Sequence, residues 1–147
     1  MNIYLVCDHA GFELKNQIFK SFDGSLFNKK VIDFGVFDQQ SIDYPEIVKK
    51  LLGIFKSDDM AILICGSGIG MSIAANRSIK ARAALCQTEE MAYLARAHND
   101  ANILVLGSRL IEQNLAFKIV EKFFSTDFEK GRHQKRVDLL NDTSLWR

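Results

Sequence analysis

The chain has 147 residues, 48% of them hydrophobic and 25% charged. That is the balance of one soluble globular domain, with a core large enough to do without disulfide or metal staples. Nineteen basic residues against eighteen acidic leave a formal charge of +1, which excludes a global field for nucleic acid and leaves local basic clusters for small anions.

No apolar run reaches the roughly eighteen residues of a membrane span, and the N-terminal run from Ile3 to Cys7 is too short for a signal-peptide core. Cys7, Cys65 and Cys86 are odd in number and form no C-x-x-C pair, which argues against a disulfide framework or zinc site. The expectation is a reduced, cytoplasmic, unexported protein that binds no membrane and needs no metal or cofactor.

In chain order, Ile3 to Cys7 reads as a strand, and residues 10–22 follow with Leu14, Ile18 and Phe22 on one helical face. Val31 to Phe34 is a second strand. Pro45 then sits where a helix can begin, ahead of Ile47, Val48, Leu51, Leu52 and Phe55 at helical spacing. The continuous apolar run from Met60 to Ile64 suits a strand covered on both faces, and a short helix over residues 71–78 opens from the glycine cluster behind it. Residues 81–86 make a fourth strand. Thr88 caps the next helix, with Glu89 and Glu90 in its first turn and its end near Ala97. Ile103 to Leu106 is a fifth strand that Gly107 ends. Leu115, Ile119 and Phe123 then mark a buried stripe, widened by Ala116, Val120 and Phe124, and a basic helix covers residues 133–140.

This alternation predicts a single-domain α/β fold: a doubly wound, parallel, five-stranded sheet in a Rossmann-like three-layer sandwich over residues 1–140. Residues 141–147 form a C-terminal tail, in which Trp146 either packs on a partner or frays.

Ligands of such sheets bind beyond the carboxyl ends of the strands. There stand Asp8-His9, Cys65-Gly66-Ser67-Gly68-Ile69-Gly70 and Gly107-Ser108-Arg109. The glycine cluster lets backbone N–H groups approach a phosphate or an enediolate, though a plain tight turn is the other reading. It is not a dinucleotide fingerprint, because Met71 stands where the last glycine belongs. It is not a P-loop either, since no lysine followed by serine or threonine comes after the glycines.

A thiol opening an N–H-lined loop is expected to carry more thiolate at neutral pH, so Cys65 reads as a base or a nucleophile, where Cys7 and Cys86 read as small buried residues. A cysteine phosphatase needs an arginine where Met71 is. A signalling receiver domain needs an aspartate and a lysine where Cys65 and Gly107 are, and a flavodoxin needs a hydroxyl-rich loop in place of Asp8-His9-Ala10-Gly11. Arg132 and Arg136, four apart in Gly131-Arg132-His133-Gln134-Lys135-Arg136, can grip one phosphate or form a solvated basic terminus.

Six pieces in order, Cys7-Asp8-His9-Ala10-Gly11-Phe12, Asp43-Tyr44-Pro45, the glycine cluster with Ser72-Ile73-Ala74-Ala75-Asn76, His98-Asn99-Asp100, Gly107-Ser108-Arg109 and Gly131-Arg132-His133, closely resemble type B ribose-5-phosphate isomerases. That family also includes galactose-6-phosphate and allose-6-phosphate isomerases. The resemblance covers nearly the whole chain and implies an aldose-ketose isomerase that interconverts D-ribose 5-phosphate and D-ribulose 5-phosphate through an enediolate.

It further implies Cys65 as the base, with Ser67 and the N–H groups of residues 66–70 (Gly66, Ser67, Gly68, Ile69, Gly70) on the enediolate. His98 is implied as the ring-opening acid with help from Asp8, Tyr44 and Asn99 as the sugar lining, and His9, Arg109, Arg132 and Arg136 as the phosphate set. Two departures stand out. Ser67 replaces a frequent threonine, and Met71 replaces the glutamate base of one branch, which assigns this chain to the cysteine branch.

His98 precedes the fifth strand at its amino end, away from the chain's own crevice. It therefore serves a neighbour's site, in a homodimer or a tetramer of dimers, or it merely caps its helix. The alternatives are a six-carbon sugar phosphate as substrate, or a non-catalytic ligand-binding or signalling module on the same fold.

Overall fold

The computed structural model describes residues 1–146. Its sheet is built outward from β1 (Ile3–Cys7), whose residues are all buried. On one side of β1 lies β3 (Lys29–Gly35), and on the other lie β4 (Met60–Cys65), β6 (Ile103–Gly107) and β5 (Ala83–Leu85), all parallel. These are the five strands expected from the apolar runs.

Alternate residues of the buried strands face opposite layers. Ile3, Leu5, Ile62, Ile64, Leu104 and Leu106 meet α1 (Phe12–Ser21), α4 (Glu89–Asn99) and α5 (Gln113–Ser125) through Ile18, Ala92, Ile119 and Phe123. On the other face Val6, Leu63, Cys65 and Val105 meet α2 (Tyr44–Ile54) and α3 (Ile69–Ala75) through Val48, Leu51, Met71 and Ala75. Fully burying each such aliphatic side chain contributes about 1.5–3 kcal/mol, which is why helices with modest propensity are held in place. The Thr88 hydroxyl accepts from the Met91 N–H at 3.1 Å, confirming that cap. No helix among the described residues is long and apolar enough to cross a membrane.

Two features differ from the reading of the sequence. A short strand β2 (Ser25–Leu26) pairs antiparallel with the start of β3 and adds to the sheet edge. Its turn residues Phe27 and Asn28 have φ of 48° and 63°, a left-handed pair usually marked by Asn-Gly, so no turn signature announced it. Second, α3 begins at Ile69, so the glycine loop runs directly into a helix.

A buried ion pair fixes the crevice end of the sheet. Lys15 of α1, 1% exposed, donates to both Asp33 carboxylate oxygens at 2.7 Å and to the Val36 carbonyl at 2.9 Å. Val36 in turn donates to the Cys7 carbonyl at 3.2 Å. The ends of β1 and β3 are thereby held together beside Asp8.

The chain continues from α5 through a 3-10 turn (Gly131–His133) into α6 (Gln134–Leu140) and a last 3-10 turn (Thr143–Leu145). The Trp146 indole N–H donates to the Leu139 carbonyl at 3.2 Å while most of the ring stays exposed. Arg147 lies outside the described residues.

Candidate active site

The register pairs Cys7 with Ile64 and Cys65 with Gly107, so β1, β4 and β6 end side by side. Their next residues share one rim. Ser108 donates through its N–H to the Cys65 carbonyl at 2.9 Å and through its hydroxyl to the Ala10 carbonyl at 2.9 Å, and Arg109 N–H reaches Gly66 at 3.0 Å.

Within this rim the sulfur of Cys65, a residue 5% exposed, accepts from the Gly68 N–H at 3.1 Å. Gly68 has φ +78°, a left-handed turn that aims this N–H back at the strand, and a Cβ added there would run into Leu85 and the Leu106 backbone. The Ser67 hydroxyl accepts from the Ile69 N–H at 3.2 Å. Arg109 and Tyr44 flank the loop. A Cβ on Gly66 would stand 3.1 Å from the Arg109 guanidinium, and one on Gly70 would strike the Tyr44 ring at 2.5 Å.

The buried Asp8 carboxylate accepts through one oxygen from the N–H groups of Ala10 and Gly11 at 2.9 and 3.1 Å. Next to it, Nδ1 of His9 is buried with no hydrogen-bond partner, alone in this among the described side-chain nitrogens and oxygens. A buried ring nitrogen without a partner is uncommon in a folded chain and marks His9 for a role beyond packing. Burial pushes the thiols of Cys7 up to about 11 and Cys86 up to about 12, consistent with inert packing at both positions.

The remaining candidates lie at the opposite edge. His98 is in the last turn of α4 itself, and its ring stacks on His133 with centroids 4.1 Å apart and planes 11° apart. Its Nε2 is 3.7 Å from the Glu129 carboxylate, which also lies 3.9 Å from Nε2 of His133 and accepts from the Tyr93 hydroxyl at 2.7 Å. Arg132 sits in the turn before α6, Arg136 is on α6, and both act electrostatically on His133. Desolvation first, then His98 and these arginines, hold the His133 imidazole below its ordinary pKa. Asn99, exposed, ends α4 beside a groove lined by Asn76, Arg82 and Trp146.

The five-residue strand β6, roughly 16 Å long, separates this edge from the Cys65 rim. One chain thus brings together Asp8, His9, Tyr44, the glycine loop, Cys65 and Arg109, and separately His98, Asn99, Arg132 and Arg136. Glu129 and Tyr93 escaped the reading of the sequence. The i,i+4 spacing of Glu129 and His133 was their one signal.

Residues 3–140 match the Ribose/Galactose Isomerase family. The chain is 40% identical over 138 residues to ribose-5-phosphate isomerase B of Escherichia coli (strain K12), covering 91% of this chain and 90% of that one. It is similar to the solved structure of Clostridium thermocellum ribose-5-phosphate isomerase B, with TM-score 0.91, 40% identity and 99% of each chain covered. It is similar also to ribose-5-phosphate isomerase B of Mycoplasma genitalium solved with bound ribulose-5-phosphate, with TM-score 0.87, 36% identity, and 99% of this chain and 97% of that one covered.

Proposed function

This chain belongs to the ribose/galactose isomerase family, and we propose that it interconverts D-ribose 5-phosphate and D-ribulose 5-phosphate, with Cys65 carrying the proton between C2 and C1. The observation that carries this reading is the Cys65 sulfur held by the Gly68 N–H at the mouth of a glycine loop, between Arg109 and Tyr44.

Ring opening comes first. An acid, His98, delivers a proton to the ring oxygen as the C1–O bond breaks, and the C1 hydroxyl proton leaves toward Asp8. The Cys65 thiolate then removes the C2 proton, and the electron pair moves into the C1–C2 bond as the carbonyl oxygen becomes an enediolate oxygen. Ser67 and the loop N–H groups meet that charge. Return of the proton to C1, with transfer of the O2 proton to O1, leaves the ketose. The scheme needs no metal or cofactor.

The phosphate is assigned to His9, whose orphaned Nδ1 supports the role, and to Arg109, Arg132 and Arg136, whose planar forks suit a dianion. Tyr44 and Asn99 line the sugar. Because His98, Asn99, Arg132 and Arg136 lie a strand's length from Cys65, the complete site takes them from a second subunit, in a dimer or a tetramer of dimers.

A six-carbon substrate is the second reading, since the family description names galactose beside ribose. The relatives named as ribose-5-phosphate isomerases favour the pentose. A coupled assay comparing ribose 5-phosphate, allose 6-phosphate and galactose 6-phosphate tests this. The expected result is at least about tenfold higher kcat/KM for ribose 5-phosphate, a margin of roughly 1.4 kcal/mol. Preference for either hexose phosphate would replace the reading. Cys65→Ala is expected to lower kcat by at least about a hundredfold, and full activity in that variant would remove Cys65 from the mechanism.

A further inference from the structure

Only His98 of the cluster at the amino edge of the sheet has a part in the proposed chemistry, yet Glu129 and His133 are built around it. One ligand atom from each of His98, Glu129 and His133 lies within 4.8 Å of the other two. A tetrahedral zinc ion bound at about 2.1 Å sets its ligand atoms about 3.4 Å apart. The Glu129 oxygen already stands 3.7 and 3.9 Å from the two Nε2 atoms, and to bind an ion the more exposed His98 ring must turn out of its stack on His133 so that the two in-plane lone pairs converge.

The carboxylate is also oriented. Its Oε1 accepts from the Tyr93 hydroxyl at 2.7 Å, leaving Oε2 toward the imidazoles, and the Glu129 N–H donates to the Ala97 carbonyl at 3.0 Å, tying this segment to the helix that carries His98. Such outer hydrogen bonds preset metal ligands. The turn at Lys130 and Gly131, with φ of 60° and 50°, returns the chain so that His133 comes up beneath Glu129. The His133 side chain is 8% exposed, against 31% for His98 and 47% for Glu129, so one wall is fixed and the mouth is open to a fourth ligand.

We propose that His98, Glu129 and His133 form a binding site for a divalent transition-metal ion such as Zn2+, and that its occupation inhibits the enzyme by taking the His98 imidazole. The inhibitory half rests on the reading of His98 as the ring-opening acid. Two imidazoles and a carboxylate select borderline ions of the zinc, cobalt and nickel type over Mg2+ or Ca2+. Arg132 and Arg136 oppose the ion's charge, which makes binding reversible.

The test is a Co2+ titration of the metal-free full chain, read by visible absorption, with Zn2+ displacement. One ion per chain is expected, with at least about tenfold weaker affinity in Glu129→Gln and in His133→Asn and an unchanged spectrum in Cys65→Ala. Glu129 is half exposed, so its variant tests the site without disturbing the core. Absence of a visible Co2+ spectrum, affinity unaltered by Glu129→Gln, or a spectrum that depends on Cys65 would each overturn the site. In parallel, Zn2+ is expected to inhibit wild type and chelator to restore it, with Glu129→Gln at least about tenfold less sensitive. A bound ion that leaves turnover unchanged would overturn the inhibitory role. The cobalt spectrum reads the site whether or not the isomerase assignment holds.

Discussion

The Gly68 N–H points at the Cys65 sulfur from 3.1 Å, and it does so because Gly68 adopts φ +78°. A Cβ there meets Leu85 and comes within 3.1 Å of the Leu106 backbone, so the loop must move if a side chain is added. Holding a non-glycine residue in that region also costs about 1–2 kcal/mol. Gly68→Ala is expected to keep the far-UV spectrum and lose at least about a hundredfold in kcat, as the donor leaves the sulfur. Gly53, within α2, has open space around its Cβ position, and Gly53→Ala is the control: full activity and about 0.5–1 kcal/mol more stability.

Lys15 and Asp33 behave as a unit. Among the described residues, Lys15→Met leaves the Asp33 carboxylate, 24% exposed, with the Gly35 N–H at 3.0 Å as its remaining donor. Breaking such a pair is expected to cost about 3 kcal/mol in urea unfolding, and Lys15→Met with Asp33→Asn together less than the single change. A double variant as unstable as the sum of the singles would contradict this coupling.

Alkaline pH tests the buried thiols. Burial raises Cys86 from 9.0 to about 12, so the folded chain keeps a proton that the unfolded chain releases. A raised folded value means that the stabilisation is complete below pH 9.0 and is lost as pH climbs from there toward about 12. Between pH 9 and 10.5 this one thiol removes about 2 kcal/mol. Cys86→Ala is expected to flatten the fall of unfolding free energy over that interval by this amount. An identical fall in both proteins would contradict it.

The strands and helices were legible because β1, β4 and β6 are buried on both faces and read as uninterrupted apolar runs, while α2 and α5 show one apolar stripe each. The crevice was legible for the same reason: parallel strands put Asp8, Cys65 and Gly107 on one rim as soon as their ends are known. Lys15 was not legible, since a lysine among Phe12, Leu14 and Ile18 reads as the polar side of a helix until Asp33 arrives from β3. Glu129 gains its meaning only from the left-handed turn at Lys130 and Gly131, which folds it over His98 and His133. The β2 hairpin depends on a Phe-Asn turn that composition does not mark. Local periodicity carries elements; contacts made across the fold need the fold.

The most direct test of a site assembled from two chains is activity after mixing Cys65→Ala and His98→Ala proteins and letting their subunits exchange. Each alone is expected to be inactive on ribose 5-phosphate. Random reassortment into dimers makes half of them mixed, each with one intact pairing of Cys65 and His98, and about a quarter of wild-type activity returns. Recovery of none, with exchange verified by mass, would contradict the shared site.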